Sequence, residues 1–284
     1  MRAEPTAGAE VDSPSGSVAF VRRHALLAFF VLAFAITWAP TAFGVFMAAG
    51  PLLSALGVTA VVDGRRGLRE LGSRLIRWRV GWAWYTAALL VPLGVVLGTG
   101  ALNVALGAPD SALRRLQLSS LALAFALRLV VPVFSPIGEE PGWRGFALPR
   151  FLTGRSPFEA TLFLGLIVAV WHVPLIFLSS EDLPPLFLLA TVAVTFFYTW
   201  LFIRSGGSVL ITILAHAAEG TVGREFTGTN GFAGPDKSHW IVLYTAGWCV
   251  VAVVLLVFDR QFWRGRSGRS VERMQASPVL GPAA

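Results

Sequence analysis

Two adjacent glutamates, Glu139 and Glu140, stand in the stretch SPIGEEPGWRGFALPRF at residues 135–151, directly after an apolar run. Further along, His172 lies in one apolar run, and His216 and Glu219 lie in another. Carboxylates and imidazoles are the side chains that most often move protons in catalysis. Inside a membrane each charge costs about 2.5–3.5 kcal/mol at the bilayer centre, so residues kept there are candidates for chemistry. Spacing separates their roles. Glu140 and Arg144 are i,i+4 on a helix and face one another, which predicts an internal ion pair. Glu139 points about 100° away and is expected to have no local partner. A carboxylate shielded from water, with histidines as neighbours, is suited to take a proton from a water molecule. His172 and His216 could polarise that water, stabilise an oxyanion or hold a metal. His216 and Glu219 are i,i+3 and share a face, while Gly220, at i+4, would let a backbone or a substrate come close.

The elements that must position these groups follow from composition. Of the 284 residues 55% are apolar and only 14% charged, and the mean hydropathy is +0.67, values that place the chain among membrane proteins rather than soluble domains. Apolar segments near ~20 residues, enough to cross a bilayer, occur at about 25–43, 45–62, 82–106, 118–138, 158–178, 184–203, 206–223 and 239–258. The expected fold is an all-α polytopic transmembrane bundle of about eight spans. With the N-terminus inside, the arginines of the head, of 64–79, of 141–157, Arg204 and those of the tail fall on the cytoplasmic side. Glu181, Asp182, Glu225 and Asp236 fall opposite, and Arg114, Arg115, Arg224 and Lys237 run against the rule. The net charge of +7 therefore reads as topology and contact with anionic lipid headgroups, not as nucleic-acid binding. The single cysteine, Cys249, excludes a disulfide framework and a thiolate metal site. Arg22 and Arg23 precede the first apolar run, and no cleavage site follows it, so a retained first helix is expected.

Rise along a helix at ~1.5 Å per residue puts Glu139 roughly 16 Å from Arg150, His172 roughly 25 Å from Arg155 and His216 roughly 18 Å from Arg204. All three then fall within a ~30 Å hydrocarbon core, where three helices can bring them to one site. Arg128 lies eleven residues before Glu139, about three helical turns, on nearly the same face. It reads as a snorkelling or structurally paired residue. The ten tryptophans read as interfacial belts at span ends.

The segments GEEPGWRGFALPRF (138–151), WHVPLIF (171–177) and RSGGSVLITILAHAAEGT (204–221) resemble, in order and spacing, the three signature motifs of the CPBP family. These are the intramembrane CAAX-prenyl-protease-like and bacteriocin-processing endopeptidases, also called Abi proteins. AAGPLLSAL (48–56) and RLIRWRVGW (74–82) resemble upstream parts of the same family, so the likeness spans roughly 25–223. Glu139, Glu140 and Arg144 match its glutamate motif, His172 its second motif and His216 its third. Two positions depart from it: Val168 stands where an aromatic is frequent, and Gly220 stands where an asparagine is usual, with Glu219 an unexpected acid beside it.

The resemblance implies an eight-helix membrane endopeptidase in which Glu139 and His172 activate water and the third-motif residues serve the oxyanion. Glu139, Glu140, His172 and His216 are the candidate catalytic residues, with Arg144, Glu219 and Gly220 supporting them. The family is described both as metalloprotease and as metal-independent glutamate protease. A zinc ion on Glu139, His172 and His216 and a metal-free Glu139–His172 pair both remain open. Without an asparagine at 220, either the helix loosens at Gly220, or Glu219 acts as a protonated donor, or the enzyme is slow. The expected organisation is a disordered cytoplasmic tail at 1–22, a transmembrane protease domain at 23–260 with its motif-bearing core at about 118–223, and a basic cytoplasmic tail at 261–284. The expected partners are membrane lipid and a membrane-anchored peptide or protein substrate, prenylated or not. A proton-coupled transporter, and a catalytically silent scaffold or immunity protein, are the alternative functions. No internal repeat supports transport.

Overall fold

The structure, a computed structural model, describes residues 16–178 and 183–265, and every regular element among them is helical. Residues 1–15, Glu181, Asp182 and the tail from 266 onward lie outside the described residues. The chain enters through α1 (Gly16–Arg23), so the described part of the expected N-terminal tail is helical.

Among the described residues five helical stretches are long and apolar enough to cross a membrane: Ala25–Phe43, Trp82–Ala105, Pro157–Phe177, Phe187–Arg204 and Gly234–Phe258; the count of eight is not confirmed. Each of the other three segments differs from these for a local reason. The segment expected at 45–62 becomes α3 (Gly50–Val62), following α2 (Ala25–Trp38). Its 13 residues reach only ~20 Å at 1.5 Å per residue. The segment at 118–138 breaks. After α4 (Gly64–Leu75), α5 (Trp82–Ala105) and α6 (Ser111–Arg114), α7 (Leu118–Val130) stops, and α8 (Pro136–Glu140) starts anew. Val131 and Ser135, each preceding a proline, are extended, at φ −102°, ψ 99° and φ −147°, ψ 165°. The proline ring disfavours helical geometry in the residue before it. The segment at 206–223 becomes part of a longer helix, Val209–Thr227, which is long enough but too polar, because it carries His216, Glu219, Arg224 and Glu225.

Directly after the glutamate pair, Pro141 opens a π-helical stretch, Pro141–Ala147, that leads into α9 (Leu148–Leu152). Pro141 has no N–H for the α-helical bond to residue 137, and a wider turn accommodates the loss. α8 seats tightly on the start of α3. A Cβ at Gly138 would come within 2.8 Å of the Ala48 carbonyl oxygen and closer still to that of Pro132.

The remaining helices are α10 (Pro157–Trp171), α11 (Pro174–Phe177), α12 (Phe187–Arg204), α13 (Val209–Thr227), α14 (Gly234–Phe258) and α15 (Arg260–Arg264). α10 begins with a capping box, in which Ser156 accepts from the Glu159 amide and Glu159 accepts from the Ser156 amide. α12 is the most enclosed span, 67% buried against 17% for the first, which places it at the centre of the bundle. α10 and α14 pack on α12, and α13 packs on α5, α7, α8 and α12. Leu27, Val31, Val250 and Val253 point outward, as expected where the solvent is lipid. The tryptophan belt is only partly present: Trp78 and Trp82 are exposed, but Trp143, Trp171, Trp240 and Trp248 are core residues.

Several arginines of the basic loops tie elements together. Arg74 donates to the Gly145 carbonyl at 2.7 Å and Arg77 to that of Gly206 at 2.8 Å, while Arg204 holds Asp259 at 2.6 Å. Two that break the positive-inside pattern are also engaged locally: Arg114 pairs with Asp110 at 2.6 Å, and Arg115 donates to Asn230 at 3.3 Å.

Candidate active site

Glu139, His172, His216, Glu219 and Gly220, which come from three helical segments, line one cavity of about 690 Å³. Its walls are the α2–α3 connection, α7, the turn after α10, α13 and α14. A smaller pouch of about 50 Å³ lies beneath, bounded by Glu139, Arg144, His172, Tyr198, His216 and Glu219.

The two glutamates part as their 100° separation requires. Glu139 faces the cavity at 8% exposure, and Glu140 is completely buried. Oε1 of Glu140 accepts from Arg144 Nη1 at 2.9 Å and from His216 Nδ1 at 2.9 Å. The i,i+4 pair is therefore present and extends to the third-motif histidine. With Nδ1 bound to Glu140, His216 can present only Nε2 to the cavity. Its ring stacks on Tyr198 at 5.3 Å, and the Arg144 guanidinium covers the same tyrosine at 5.0 Å.

His172 caps α10 and sits 2.8 Å, through Nδ1, from the Val168 carbonyl oxygen. A carbonyl only accepts, so Nδ1 carries the proton and Nε2 keeps a lone pair. Phe46, Trp171 and Phe187 pack around the ring at centroid distances of 5.9, 4.7 and 5.9 Å. A carboxylate and an unprotonated imidazole nitrogen on one cavity can together hold and deprotonate a water molecule.

Glu219 accepts from the Tyr198 hydroxyl at 3.2 Å and, at closer range, from the Tyr244 hydroxyl. Both carboxyl oxygens of Glu219 are thus engaged by phenols on neighbouring helices. α13 runs unbroken through Gly220 to Thr227, so the helix does not loosen there. Among the described residues no three His, Cys, Asp or Glu side chains converge on a point that could hold a metal ion. Glu139, His172 and His216 thus share a cavity without forming a metal-ligand set, and His216 Nδ1 is committed to Glu140.

Two participants escaped the sequence reading: Tyr198 and Tyr244 lie in ordinary apolar spans and carry no local signal. Arg128, the lone charge in 118–134 and expected to snorkel or to pair structurally, lines the cavity and lies against Gly220.

Residues 121–221, which include all of these motif positions, match the family model for Rce1-like type II CAAX prenyl endopeptidases. The chain is also similar to CAAX prenyl protease 2 of Methanococcus maripaludis, with 27% identity over 88 residues. That match covers 28% of this chain and 32% of the relative, so the chain spans about a third of that protein's length. Through the segment that carries its cavity-lining acids and histidines, the chain is thus similar to the Rce1-like type II CAAX prenyl endopeptidases.

Proposed function

We propose that this protein is a multi-pass membrane endopeptidase that hydrolyses a peptide bond in a membrane-anchored peptide or protein, with water activated by Glu139 and His172. The observation that carries this reading is the convergence of Glu139, His172 and His216 on one cavity, with Glu140 held back to orient His216. His172 Nε2 positions a water beside Glu139. Glu139 takes a proton from it as the water oxygen bonds to the scissile carbonyl carbon and the carbonyl π pair moves onto oxygen. On collapse the C–N bond breaks and Glu139 returns the proton to the leaving nitrogen, so one water is consumed and an acid and an amine leave. Glu140 and Arg144 position His216, and Glu219 with Tyr198 and Tyr244 braces the same wall.

Residues 23–260 form the protease domain, with both termini on the cytoplasmic side, in line with the arginines of 64–79 and 141–157. The zinc-dependent variant finds no donor set among the described residues, and no step is routed through a metal. The test is cleavage by purified full-length protein in detergent. The panel pairs farnesylated C-terminal peptides with unprenylated lipid-anchored ones, and products are read by mass spectrometry. Cleavage that is lost in Glu139→Gln and unaffected by exhaustive chelation is expected. Undiminished cleavage by Glu139→Gln would remove Glu139 as the base, and loss on chelation with recovery on added zinc would remove the metal-free mechanism.

A further inference from the structure

A hydrolytic site needs a donor for the charge that develops on the carbonyl oxygen, and removing one such donor typically costs 10²–10³ in kcat. The α13 face that carries His216 continues to Gly220 one turn on, a residue with no side chain to supply it. The space there is not open. A Cβ built on Gly220 would lie 2.8 Å from Nη1 of Arg128 and 3.2 Å from its Cζ. Arg128 reaches this point from α7, lines the cavity beside Glu139 and His216, and lies near enough to Glu139 to interact with it electrostatically. An arginine presents five N–H groups in a planar fork, stays charged, and can serve an oxyanion while engaged elsewhere.

We infer that the Arg128 guanidinium, seated against Gly220 one helical turn beyond His216, donates to the carbonyl oxygen as it becomes an oxyanion. This rests on the proteolytic reading above. Gly220 is then the residue that admits the guanidinium: any side chain there would push Arg128 off this face of α13. The electron pair that leaves the carbonyl π bond is held opposite Arg128 until the C–N bond breaks and it returns.

The test uses the purified full-length protein and two kinds of measurement. In turnover, Arg128→Ala should lower kcat by 10²–10³ with little change in KM, and Arg128→Lys should keep part of the loss-sensitive activity. Gly220→Ala leaves the charge in the protein but displaces it, and should also lower kcat. Adding Gly220→Asn to Arg128→Ala, which returns a donor to the vacated space, should recover at least tenfold. In binding, a peptide phosphinate, tetrahedral and anionic at the scissile position, is compared with its neutral hydroxyethylene counterpart. Both are built on the sequence cleaved best, or on the farnesylated peptide if none is cleaved. The wild type should prefer the phosphinate by at least 10²-fold, and Arg128→Ala should abolish that preference. Arg128→Ala with kcat within threefold of wild type, or with the phosphinate preference intact, would overturn the inference. A wild type that cleaves nothing in the panel would remove the proteolytic reading instead, and the anion site at Arg128 would stand or fall on phosphinate binding.

Discussion

The cavity has two unlike walls. One is the α8–π–α9 segment with α13, where the buried Glu140 is joined by 2.9 Å bonds to the buried Arg144 and to the cavity-lining His216. The other is α7, which has no buried residue and brings Arg128 to the cavity from the periphery. The first wall is pre-organised, because every bond that fixes His216 is made before substrate arrives. The second is held mainly by contact with α13 and α8, so it can yield to an incoming chain. Rigid placement of His216 beside a less tightly packed wall fits the proposed hydrolysis of a membrane-anchored peptide.

The largest test of the first wall is Glu139→Gln, which keeps volume and removes the proposed base. Turnover should fall by 10²–10⁴ while the thermal midpoint stays within a few degrees of wild type, as read by kcat and by melting in detergent. Breaking the support beneath comes next. Glu140→Gln leaves Arg144 buried without its counter-charge and should cost about 3–5 kcal/mol of stability. The double change Glu140→Leu with Arg144→Met, which removes both charges, should recover most of the folded yield but little activity, because His216 remains unanchored. A double variant as active as wild type would show that orientation of His216 is not what the pair provides.

Glu219→Gln probes the seam between the walls. It weakens two hydrogen bonds from Tyr198 and Tyr244 and should cost about 1–3 kcal/mol, with a smaller loss of turnover than Glu139→Gln. The smallest effect belongs to the end of the bundle outside the cavity. Burial alone would raise the Asp259 carboxyl, but hydrogen bonds from Arg204 and Trp200 outweigh it and hold the group below its usual range. A depressed folded-state value means that this contribution is fully present above the unfolded value near 4 and is lost as pH falls through the folded one. Asp259→Asn should therefore cost about 0.2–1 kcal/mol near neutral pH and flatten the acid limb of a stability–pH curve below about pH 4, without touching kcat.

Much of the first wall is legible in sequence, because its logic is local. The i,i+4 spacing of Glu140 and Arg144 and the opposite facing of Glu139 follow from 3.6 residues per turn, and both are present in the structure. The second wall is not legible in this way. Arg128 and Glu139 do share a cavity, yet not through a continuous helical face: α7 ends at Val130, and Val131 and Ser135 are extended before prolines. The span count of eight is not confirmed for the same reason, since hydropathy sums over the breaks at Pro132 and Pro136 and over the polar stripe of α13. Buried tryptophans were read as belts because a window on the sequence cannot tell a lipid-facing side of a helix from one facing other helices.

The sequence by itself determined a helical chain of membrane-protein composition, a likeness to one peptidase family over its motif-bearing segment, and the separation of two adjacent glutamates into one facing and one hidden. Each of these depends on composition or on contacts within a few residues. Only the tertiary structure decided that Glu140 reaches His216 across 76 residues, that two tyrosines hold Glu219, and that the vacancy at Gly220 is filled by Arg128. Those contacts join helices distant in sequence, and their geometry is set by where prolines end one helix and how closely glycines let the next approach.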